Sequence, residues 1–204
     1  MIQIHTLALG AYQTNTYIVH DAEAKSCVII DPGYSSATIL AKVEKLGLQV
    51  DAILLTHGHF DHVGAVKKIV AATNCKLWMS QSDYSQFPNP VNAYFFPIAN
   101  CDFCEVNFCE EGELIQGGGL EFLVLETPGH TWGSVCYLCE NAMFSGDTLF
   151  AGTCGRTDLP GGDGVTIQNS LKRLAELESD FTVYPGHGES TTLARERMYN
   201  PYMQ

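Results

Sequence analysis

The sequence predicts a layered α/β (α+β) fold, a four-layer αβ/βα sandwich in which two mixed β-sheets pack face to face with helices outside. Hydrophobic residues make up 46% of the chain and charged residues 17%, which is enough apolar material for a sizeable core. Apolar strand-like runs alternate with helical patterns, and several runs end in turns that carry histidine or aspartate. The length of 204 residues predicts a single domain over residues 1–204.

Strands are predicted where short apolar or β-branched runs lie between turn residues. In the first half of the chain these runs are residues 2–9, 16–20, 27–30, 52–55 and 77–79. A helix is predicted over residues 37–46, closed by Gly47, and a second over residues 63–72. In the second helix Val63, Val66, Ile69 and Val70 recur at helical spacing, which predicts that this helix packs on a core.

The second half begins with the least regular part of the sequence. Residues 87–119 contain three prolines and a glycine triplet, which predicts an irregular surface segment with one strand near residues 104–108. The aromatic residues 94–96 within it would form an interface or a lid over a site. Further strands are predicted at residues 120–125, 134–138, 142–144 and 181–184, with helices over residues 166–177, where Thr166 is a plausible start, and near 192–198.

One loop carries three imidazoles and a carboxylate within six residues. The run Thr56-His57-Gly58-His59-Phe60-Asp61-His62 follows the buried strand predicted at residues 52–55. Imidazole nitrogens and carboxylate oxygens suit zinc and other divalent metals, and Gly58 lets the backbone bend so that neighbouring side chains converge. The loop therefore predicts a metal site at a strand-to-helix junction.

Three later turns each place one metal donor beside an apolar strand. They are Thr127-Pro128-Gly129-His130, Ser145-Gly146-Asp147-Thr148 and Tyr184-Pro185-Gly186-His187-Gly188. Taken singly, each is as easily explained as an ordinary turn. With the first loop they supply five histidines and two aspartates, enough for two adjacent metal ions that share one carboxylate. His5 and His20 fall outside this pattern and are predicted to be partly exposed strand histidines.

Composition excludes several classes of partner. The chain has 11 Lys and Arg against 23 Asp and Glu, a net charge of −12, which argues against nucleic-acid binding. No signal peptide or membrane-crossing apolar stretch is evident, so a cytoplasmic protein with no membrane partner is expected. The cysteines are then expected as reduced thiols, buried as small hydrophobes. A Cys₄ zinc site from Cys101, Cys104, Cys136 and Cys139 is disfavoured, because positions three apart on a strand point to opposite faces.

The first loop has the form His-x-His-x-Asp-His, which resembles the signature loop of the metallo-β-lactamase superfamily. The later turns come in the order that the superfamily shows, and the resemblance extends from about Tyr17 to His187. The resemblance implies that superfamily's fold and two divalent metal ions, zinc with iron or manganese as alternatives. Carried over by position, it implies two ligand sets that share a bridging Asp147: His57, His59 and His130 for one ion, and Asp61, His62 and His187 for the other. It also implies that a hydroxide between the ions attacks an acyl carbon, while Asp61 both ligates and orients that nucleophile.

Within the superfamily, two segments are most similar to glyoxalase II-like hydrolases, which cleave hydroxyacylglutathione thioesters such as S-D-lactoylglutathione. The segments are Thr127-Pro128-Gly129-His130-Thr131-Trp132-Gly133-Ser134 and Gly146-Asp147-Thr148-Leu149-Phe150. A bridging Asp147 argues against a true β-lactamase. Two departures limit the similarity. The chain ends soon after His187, without the C-terminal helical domain that binds glutathione in full-length glyoxalase II, and Gly155-Arg156-Thr157-Asp158 replaces a Gly-Lys-x-Tyr pattern. The segment resembles short, single-domain bacterial glyoxalase II-like proteins, in which Arg156 would bind a substrate carboxylate; the alternative for Arg156 is a structural ion pair.

Two other functions stay open from the sequence. The same Gly-Arg-Thr-Asp run resembles persulfide dioxygenases, mononuclear iron enzymes that use two histidines and one carboxylate. A metal-stabilised interaction module without turnover is the second alternative. It is disfavoured because seven donors exceed the four that a closed structural zinc site uses. A thioester hydrolase acting on a small molecule is therefore the main expectation.

Overall fold

The computed structural model describes residues 1–86 and 105–204, and these form two six-stranded sheets with helices on their outer faces. The first sheet has the strand order β1-β2-β3-β4-β5-β6. Its strands are β1 (Ile2–Leu9), β2 (Thr14–Asp21), β3 (Ser26–Ile30), β4 (Gln49–Leu54), β5 (Lys76–Met79) and β6 (Val106–Phe108). The pairs β1–β2 and β2–β3 are antiparallel and the remaining pairs are parallel, so this sheet is mixed as predicted.

The second sheet is also mixed and has the order β14-β13-β10-β9-β8-β7. Its strands are β7 (Leu114–Gly117), β8 (Leu120–Glu126), β9 (Val135–Cys139), β10 (Ala142–Gly146), β13 (Thr182–Pro185) and β14 (Thr191–Thr192). Only its β10–β13 pair is parallel. A separate two-stranded ribbon pairs β11 (Leu149–Phe150) with β12 (Thr153–Cys154).

The helices are α1 (Ser36–Leu46), α2 (Phe60–Val63), α3 (Val66–Thr73), α4 (Gln81–Tyr84), α5 (Gly164–Ala175) and α6 (Leu193–Tyr199). Helices α1 and α3 bury Ile39 and Ile69 against the outer face of the first sheet. Helices α5 and α6 bury Leu171 and Leu193 against the outer face of the second. The described residues include no helix long and apolar enough to span a bilayer.

Between the two sheets lies a third apolar cluster, which includes Val28 and Leu54 from the first sheet and Phe122 and Phe144 from the second. The central strands β2, β3, β9 and β10 therefore bury side chains on both faces of their sheets, because side chains alternate along a strand. Cys136 packs on the helix side of β9 and Cys139 on the inner side, as the spacing predicts. This is the predicted four-layer αβ/βα arrangement.

Most predicted elements are present within a few residues of their expected bounds, but two helices differ, and β7, β11, β12, β14 and α4 were not predicted. The helix predicted over residues 63–72 is broken into α2 and α3 at Gly64, because the Ala65 N–H donates to the Pro32 carbonyl. The helix predicted from Thr166 begins at Gly164, where the Asp163 side chain accepts from the Thr166 N–H as an N-cap. Strand β7 lies in a region predicted to be irregular.

Some predicted features lie outside the described residues. They are most of the irregular segment, including the aromatic residues 94–96, and both Cys101 and Cys104. The strand predicted near residues 104–108 is seen as β6. All six described cysteines are free thiols, and five of them are buried.

Candidate metal centre

All seven predicted donors lie together at one edge of the sandwich. The His57–His62 loop and α2 follow β4, His130 follows β8, Asp147 follows β10 and His187 follows β13. Each donor is thus placed just beyond a strand whose position the core fixes. This arrangement brings together side chains that are up to 130 residues apart, from His57 to His187.

Three histidines form the first part of the cluster, called here the three-histidine group: His57, His59 and His130. One ring nitrogen from each lies within 4.8 Å of the others. The Nε2 atom of His130 is 2.9 Å from Nδ1 of His59, and all three side chains are buried. Ring nitrogens that converge in this way suit a shared cation.

A carboxylate and two histidines form the second group: Asp61, His62 and His187. Their donor atoms also lie within 4.8 Å of one another. The Oδ2 atom of Asp61 is 3.3 Å from Nε2 of His187 and 3.7 Å from Nε2 of His62. The two imidazole Nε2 atoms are 3.4 Å apart. Nitrogen and oxygen donors from three directions suit a divalent ion.

Asp147 lies between the two groups. Its Oδ1 is 3.4 Å from Nε2 of His62, and its Oδ2 is 3.6 Å from Nε2 of His130 and 3.5 Å from Nε2 of His187. The carboxylate fits there because residue 186 is glycine, since a Cβ at Gly186 would stand 2.1 Å from Asp147 Oδ1. Asp147 therefore faces donors from both groups.

Oxygen atoms outside the cluster fix the orientation of four of the imidazoles. Nδ1 of His62 donates to Asp31 Oδ2 at 2.9 Å, and Nδ1 of His130 donates to the Arg156 carbonyl at 2.8 Å. Nδ1 of His187 donates to the Tyr12 carbonyl at 3.0 Å. His57 places Nδ1 at 3.0 Å from Oγ1 of the preceding threonine. In each ring Nε2 is then the nitrogen that faces the centre of the cluster.

Asp31 is a site residue that the sequence reasoning did not identify. It is buried at the end of β3 and accepts from the Thr56 N–H at 2.8 Å, from the Thr56 hydroxyl at 2.6 Å and from His62. Its oxygens are occupied by these donors, so it supports His62 and the start of the metal loop from outside. The signal was present, because Asp31 directly follows the apolar run 27–30, as the loop that begins at Thr56 follows the run 52–55.

The turn between β1 and β2 supports the second group. The Thr14 hydroxyl donates to Asp61 Oδ2 at 3.1 Å. The Asn15 side chain donates to the carbonyls of Pro185 at 3.0 Å and Gly188 at 2.9 Å, on both sides of His187. No sequence motif marked these residues.

Burial and neighbouring charges shift the pKa values of the cluster in opposite directions. Burial, aided by His130, lowers the pKa of His59 to about 3 and lowers that of His57 as well. For His62, burial is outweighed by Asp147 and Asp31, and the pKa rises to about 9. Burial of Asp61 is outweighed by the hydrogen bond from His187, which holds its pKa below the ordinary value. Two imidazoles are thus neutral and Asp61 ionised at neutral pH, the forms that bind metal ions.

Buried polar atoms without hydrogen-bond partners indicate that the cluster suits cations. Two buried polar atoms, His57 Nε2 and Asp147 Oδ1, have no hydrogen-bond partner among the described residues, although buried polar atoms are normally paired. Both are lone-pair donors that face the cluster. An ion is the partner that would satisfy such atoms, so the donor set fits divalent metals.

A pocket of about 410 Å³ opens onto the cluster. Besides the predicted metal donors, the pocket is lined by Tyr12, Phe60, Phe150, Leu159 and Arg156. The guanidinium of Arg156 makes a two-pronged ion pair with Asp158, with both N···O distances 2.7 Å. The arginine therefore lines the pocket and is also half of an exposed ion pair, so both of its expected roles have a basis in the structure.

The two histidines outside the pattern lie together on the first sheet. His5 is half-buried, whereas His20 is buried, so the expectation of partial exposure is wrong for His20. Their rings stack with centroids 5.5 Å apart, and His20 Nδ1 donates to the Asp21 carbonyl at 2.8 Å. This pair lies outside the cluster of seven predicted donors.

The chain is similar in sequence and structure to proteins of one known family. A family model described as the metallo-beta-lactamase superfamily matches residues 9–187. Hydroxyacylglutathione hydrolase GloC of Haemophilus influenzae is 32% identical over 99% of this chain and 98% of that protein. Among solved structures, the B3 metallo-beta-lactamase BLEG-1 is 31% identical with a TM-score of 0.86, covering 100% of this chain and 99% of that one. TTHA1623, solved in a di-iron-bound form, is 38% identical with a TM-score of 0.83, covering 97% and 99%.

Proposed function

The chain belongs to the metallo-beta-lactamase superfamily, and we propose that within it the protein is a binuclear metal-dependent hydrolase of hydroxyacylglutathione-type thioesters. The observation that carries the proposal is the position of Asp147, whose two oxygens face histidines of both groups at 3.4 to 3.6 Å. One carboxylate between two donor sets is suited to hold a pair of ions. The 32% identity to a hydroxyacylglutathione hydrolase supports the choice of substrate.

The proposed ligands are those that the sequence predicts. The three-histidine group would hold one ion and the second group the other, with Asp147 shared. Zinc suits this nitrogen and oxygen donor set, and iron or manganese are alternatives, as the di-iron form of TTHA1623 illustrates. When bound, two such ions provide a water-derived nucleophile near neutral pH and polarise the carbonyl that is attacked.

Asp61 would orient the attacking water. It remains ionised at neutral pH because His187 holds its pKa low, and the Thr14 hydroxyl fixes its Oδ2 atom. An ionised carboxylate held in one position accepts a hydrogen bond from water and directs the oxygen lone pair toward the substrate carbonyl. Asp61 and Asp147 are therefore the residues to which we assign catalytic roles.

The walls of the pocket suit a thioester with an acidic thiol part. Phe60, Phe150 and Leu159 offer apolar contacts to the acyl group and the sulfur, whereas Arg156 offers a cation for a carboxylate at the rim. Asp158 holds the guanidinium in one orientation through two hydrogen bonds. A thiolate is a good leaving group, so the reaction needs no strong general acid from the chain.

The remaining parts of the proposal follow from the substrate. A glutathione thioester implies action in the cytoplasm, where glutathione keeps thiols reduced. We further propose that residues 1–204 form one domain, that the partner is a small molecule and that nucleic acid is not bound, in keeping with the net charge of −12.

The test is turnover by the metal-loaded protein on a panel of substrates. S-D-lactoylglutathione and other acyl thioesters of glutathione should be hydrolysed with kcat/KM of at least about 10⁴ M⁻¹s⁻¹, in the ordinary enzyme range. A β-lactam and glutathione persulfide complete the panel, the latter with oxygen uptake followed. Asp147→Asn should abolish the thioester reaction while keeping the shape of the side chain. Rates on all thioesters no higher than those of the metal-free protein would overturn the proposal, and one iron per chain with persulfide-dependent oxygen uptake would replace it.

A further inference from the structure

Asp83 is a buried carboxylate that the proposed reaction does not use. It lies in α4, a short helix whose sequence Gln81-Ser82-Asp83-Tyr84 carries no recognised motif, and its side chain has no access to solvent. A carboxylate is costly to bury unless its oxygens accept several hydrogen bonds. Asp83 has three donors, and all of them come from the two loops that carry the three-histidine group.

The donors divide between the two carboxylate oxygens. Oδ2 accepts from the Gly58 N–H at 2.8 Å and from the Thr131 hydroxyl at 2.8 Å. Oδ1 accepts from the Gly133 N–H at 2.8 Å. Gly133 reaches this position because it has no side chain, since a Cβ there would stand 2.3 Å from Ser80 Oγ and 2.8 Å from the Asp83 nitrogen. A single side chain therefore joins the loop after β4 to the loop after β8.

Two of the three bonded residues are next to a predicted metal ligand. Gly58 lies between His57 and His59, and Thr131 directly follows His130. All three members of the three-histidine group are thus one peptide unit from an atom that donates to Asp83. The Ser134 hydroxyl, 2.7 Å from Thr131 Oγ1, accepts from the Thr131 N–H at 3.1 Å and so fixes the second loop further.

The second group has other supports. Thr14 bonds to Asp61, Asn15 bonds to the backbone around His187, and Asp31 bonds to His62. Asp83 makes none of these contacts. The two halves of the centre are therefore held by different residues, and a change at Asp83 acts directly on one half only.

From this division we infer that Asp83 is a positioning residue for the ion held by the three-histidine group. It holds the His57–His59 backbone and the His130 backbone at one fixed separation, so that three imidazole nitrogens converge before metal arrives. The other backbone link between the two segments, from the Val135 N–H to the Thr56 carbonyl at 2.8 Å, lies where the strands end, so Asp83 is the side chain that joins the loops between the ligands. The inference rests on the proposed metal centre and assigns its preorganisation to one buried carboxylate.

The test uses Asp83→Asn, which keeps the shape of the side chain but replaces one acceptor oxygen with an NH₂ donor that faces a donor of the loops. The metal-free full-length chain is titrated with Zn²⁺ in a chelator buffer, and the imidazole signals of each site histidine are followed by ¹⁵N NMR. The free Zn²⁺ concentration that half-saturates His57, His59 and His130 should rise about 10- to 100-fold, the range found when outer partners of metal ligands are removed. The half-saturation of His62 and His187 should stay within about threefold of the wild type.

Glu196→Gln is the matched control. Glu196 is also buried and accepts from four donors, none of them on the three-histidine loops. They are the Gly152 N–H at 2.7 Å, the Thr191 hydroxyl at 2.6 Å, the Asn200 amide at 3.0 Å and the Arg195 guanidinium at 3.4 Å. It should lower the unfolding temperature without a selective change in Zn²⁺ half-saturation. Equal shifts for all five histidines in Asp83→Asn, or a shift no larger than that of Glu196→Gln, would overturn the inference.

A milder pair of variants covers the case in which Asp83→Asn does not fold. Thr131→Val removes only the hydroxyl that donates to Asp83, and should raise the half-saturation of the three-histidine group by several-fold. Thr131→Ser keeps the hydroxyl and should restore the wild-type value. Identical titrations for Thr131→Val and Thr131→Ser would contradict the role of Asp83. Absence of Zn²⁺ binding by the wild type would instead refute the metal centre itself.

Discussion

Replacement of Asp31 by asparagine tests whether the metal loop is held from behind. Asp31 is 1% exposed and accepts from the Thr56 N–H at 2.8 Å, the Thr56 hydroxyl at 2.6 Å and His62 Nδ1 at 2.9 Å. Asparagine keeps the shape but has one acceptor oxygen and one amide donor. At least one of the three donors therefore faces another donor in Asp31→Asn.

The size of the effect follows from these contacts. A buried donor left unpaired costs about 1–3 kcal/mol, and loss of the charge weakens the bonds that remain, so we expect the free energy of unfolding to fall by about 3–5 kcal/mol. For a chain of this length each kcal/mol lowers the melting temperature by roughly 2–4 °C, which predicts a fall of about 10 °C.

The assay is urea unfolding of the metal-free protein, followed by circular dichroism, with Asp51→Asn as the control. Asp51 also accepts from a hydroxyl, that of Ser26, and from a backbone N–H, that of Gly118 at 2.8 Å, but it is exposed and far from the loop in the fold. Its replacement should cost less than about 1 kcal/mol. A loss in Asp31→Asn that is no larger than in Asp51→Asn would refute the assignment of Asp31 as a support of the site.

Three further predictions concern binding, space and pH. Arg156→Ala should raise KM for glutathione thioesters about fivefold with little change in kcat, because an exposed cation contributes about 1 kcal/mol to binding a carboxylate. A thioester of a neutral thiol should be unaffected, and equal losses on both substrates would contradict this role of Arg156. Gly186→Ala places a Cβ 2.1 Å from Asp147 Oδ1 and should reduce bound Zn²⁺ below two ions per chain. Metal analysis of the purified protein checks this, and an unchanged Zn²⁺ content would contradict the prediction. Without metal, stability should peak near pH 6.5. Burial gives His59 a pKa of about 3, so the unfolded chain, with its ordinary value of 6.5, binds more protons below pH 6.5 and stability is lost as pH falls towards 3. The raised pKa of His62, about 9, causes a second loss of stability as pH rises from 6.5 towards 9. Urea unfolding midpoints that stay constant on both sides of pH 6.5 would contradict both pKa shifts.

Much of the candidate site could be predicted because its ligands are marked locally. His57, His59, Asp61 and His62 lie in one run, and each remaining donor follows or precedes an apolar strand in a glycine-rich turn. Strand ends that share an edge of a sandwich bring such turns together, so the meeting of these segments follows from the fold.

The supporting residues could not be predicted in the same way. Asp83 and Thr14 act through hydrogen bonds to loops that are distant in sequence, and nothing in their neighbourhood marks them. The break between α2 and α3 has the same origin, because the partner of the Ala65 N–H is the Pro32 carbonyl in another loop. Local periodicity carries no information about such tertiary contacts.

Strand β7 was missed for a different reason. It has four residues, of which only Ile115 is fully buried, so its alternation of apolar and polar residues is too short to predict a strand. The signal lay in the turn instead, because Gly118 and Gly119 form a two-residue connection to β8, a strong hairpin pattern.

The most direct test of the central claim is a titration of metal-free protein with Zn²⁺ in which bound ions and hydrolysis of S-D-lactoylglutathione are measured on the same samples. The three-histidine group, the second group and the shared Asp147 predict saturation at two ions per chain, with thioester turnover rising as both positions fill. Saturation at a single ion, or two bound ions without thioester hydrolysis, would contradict the account.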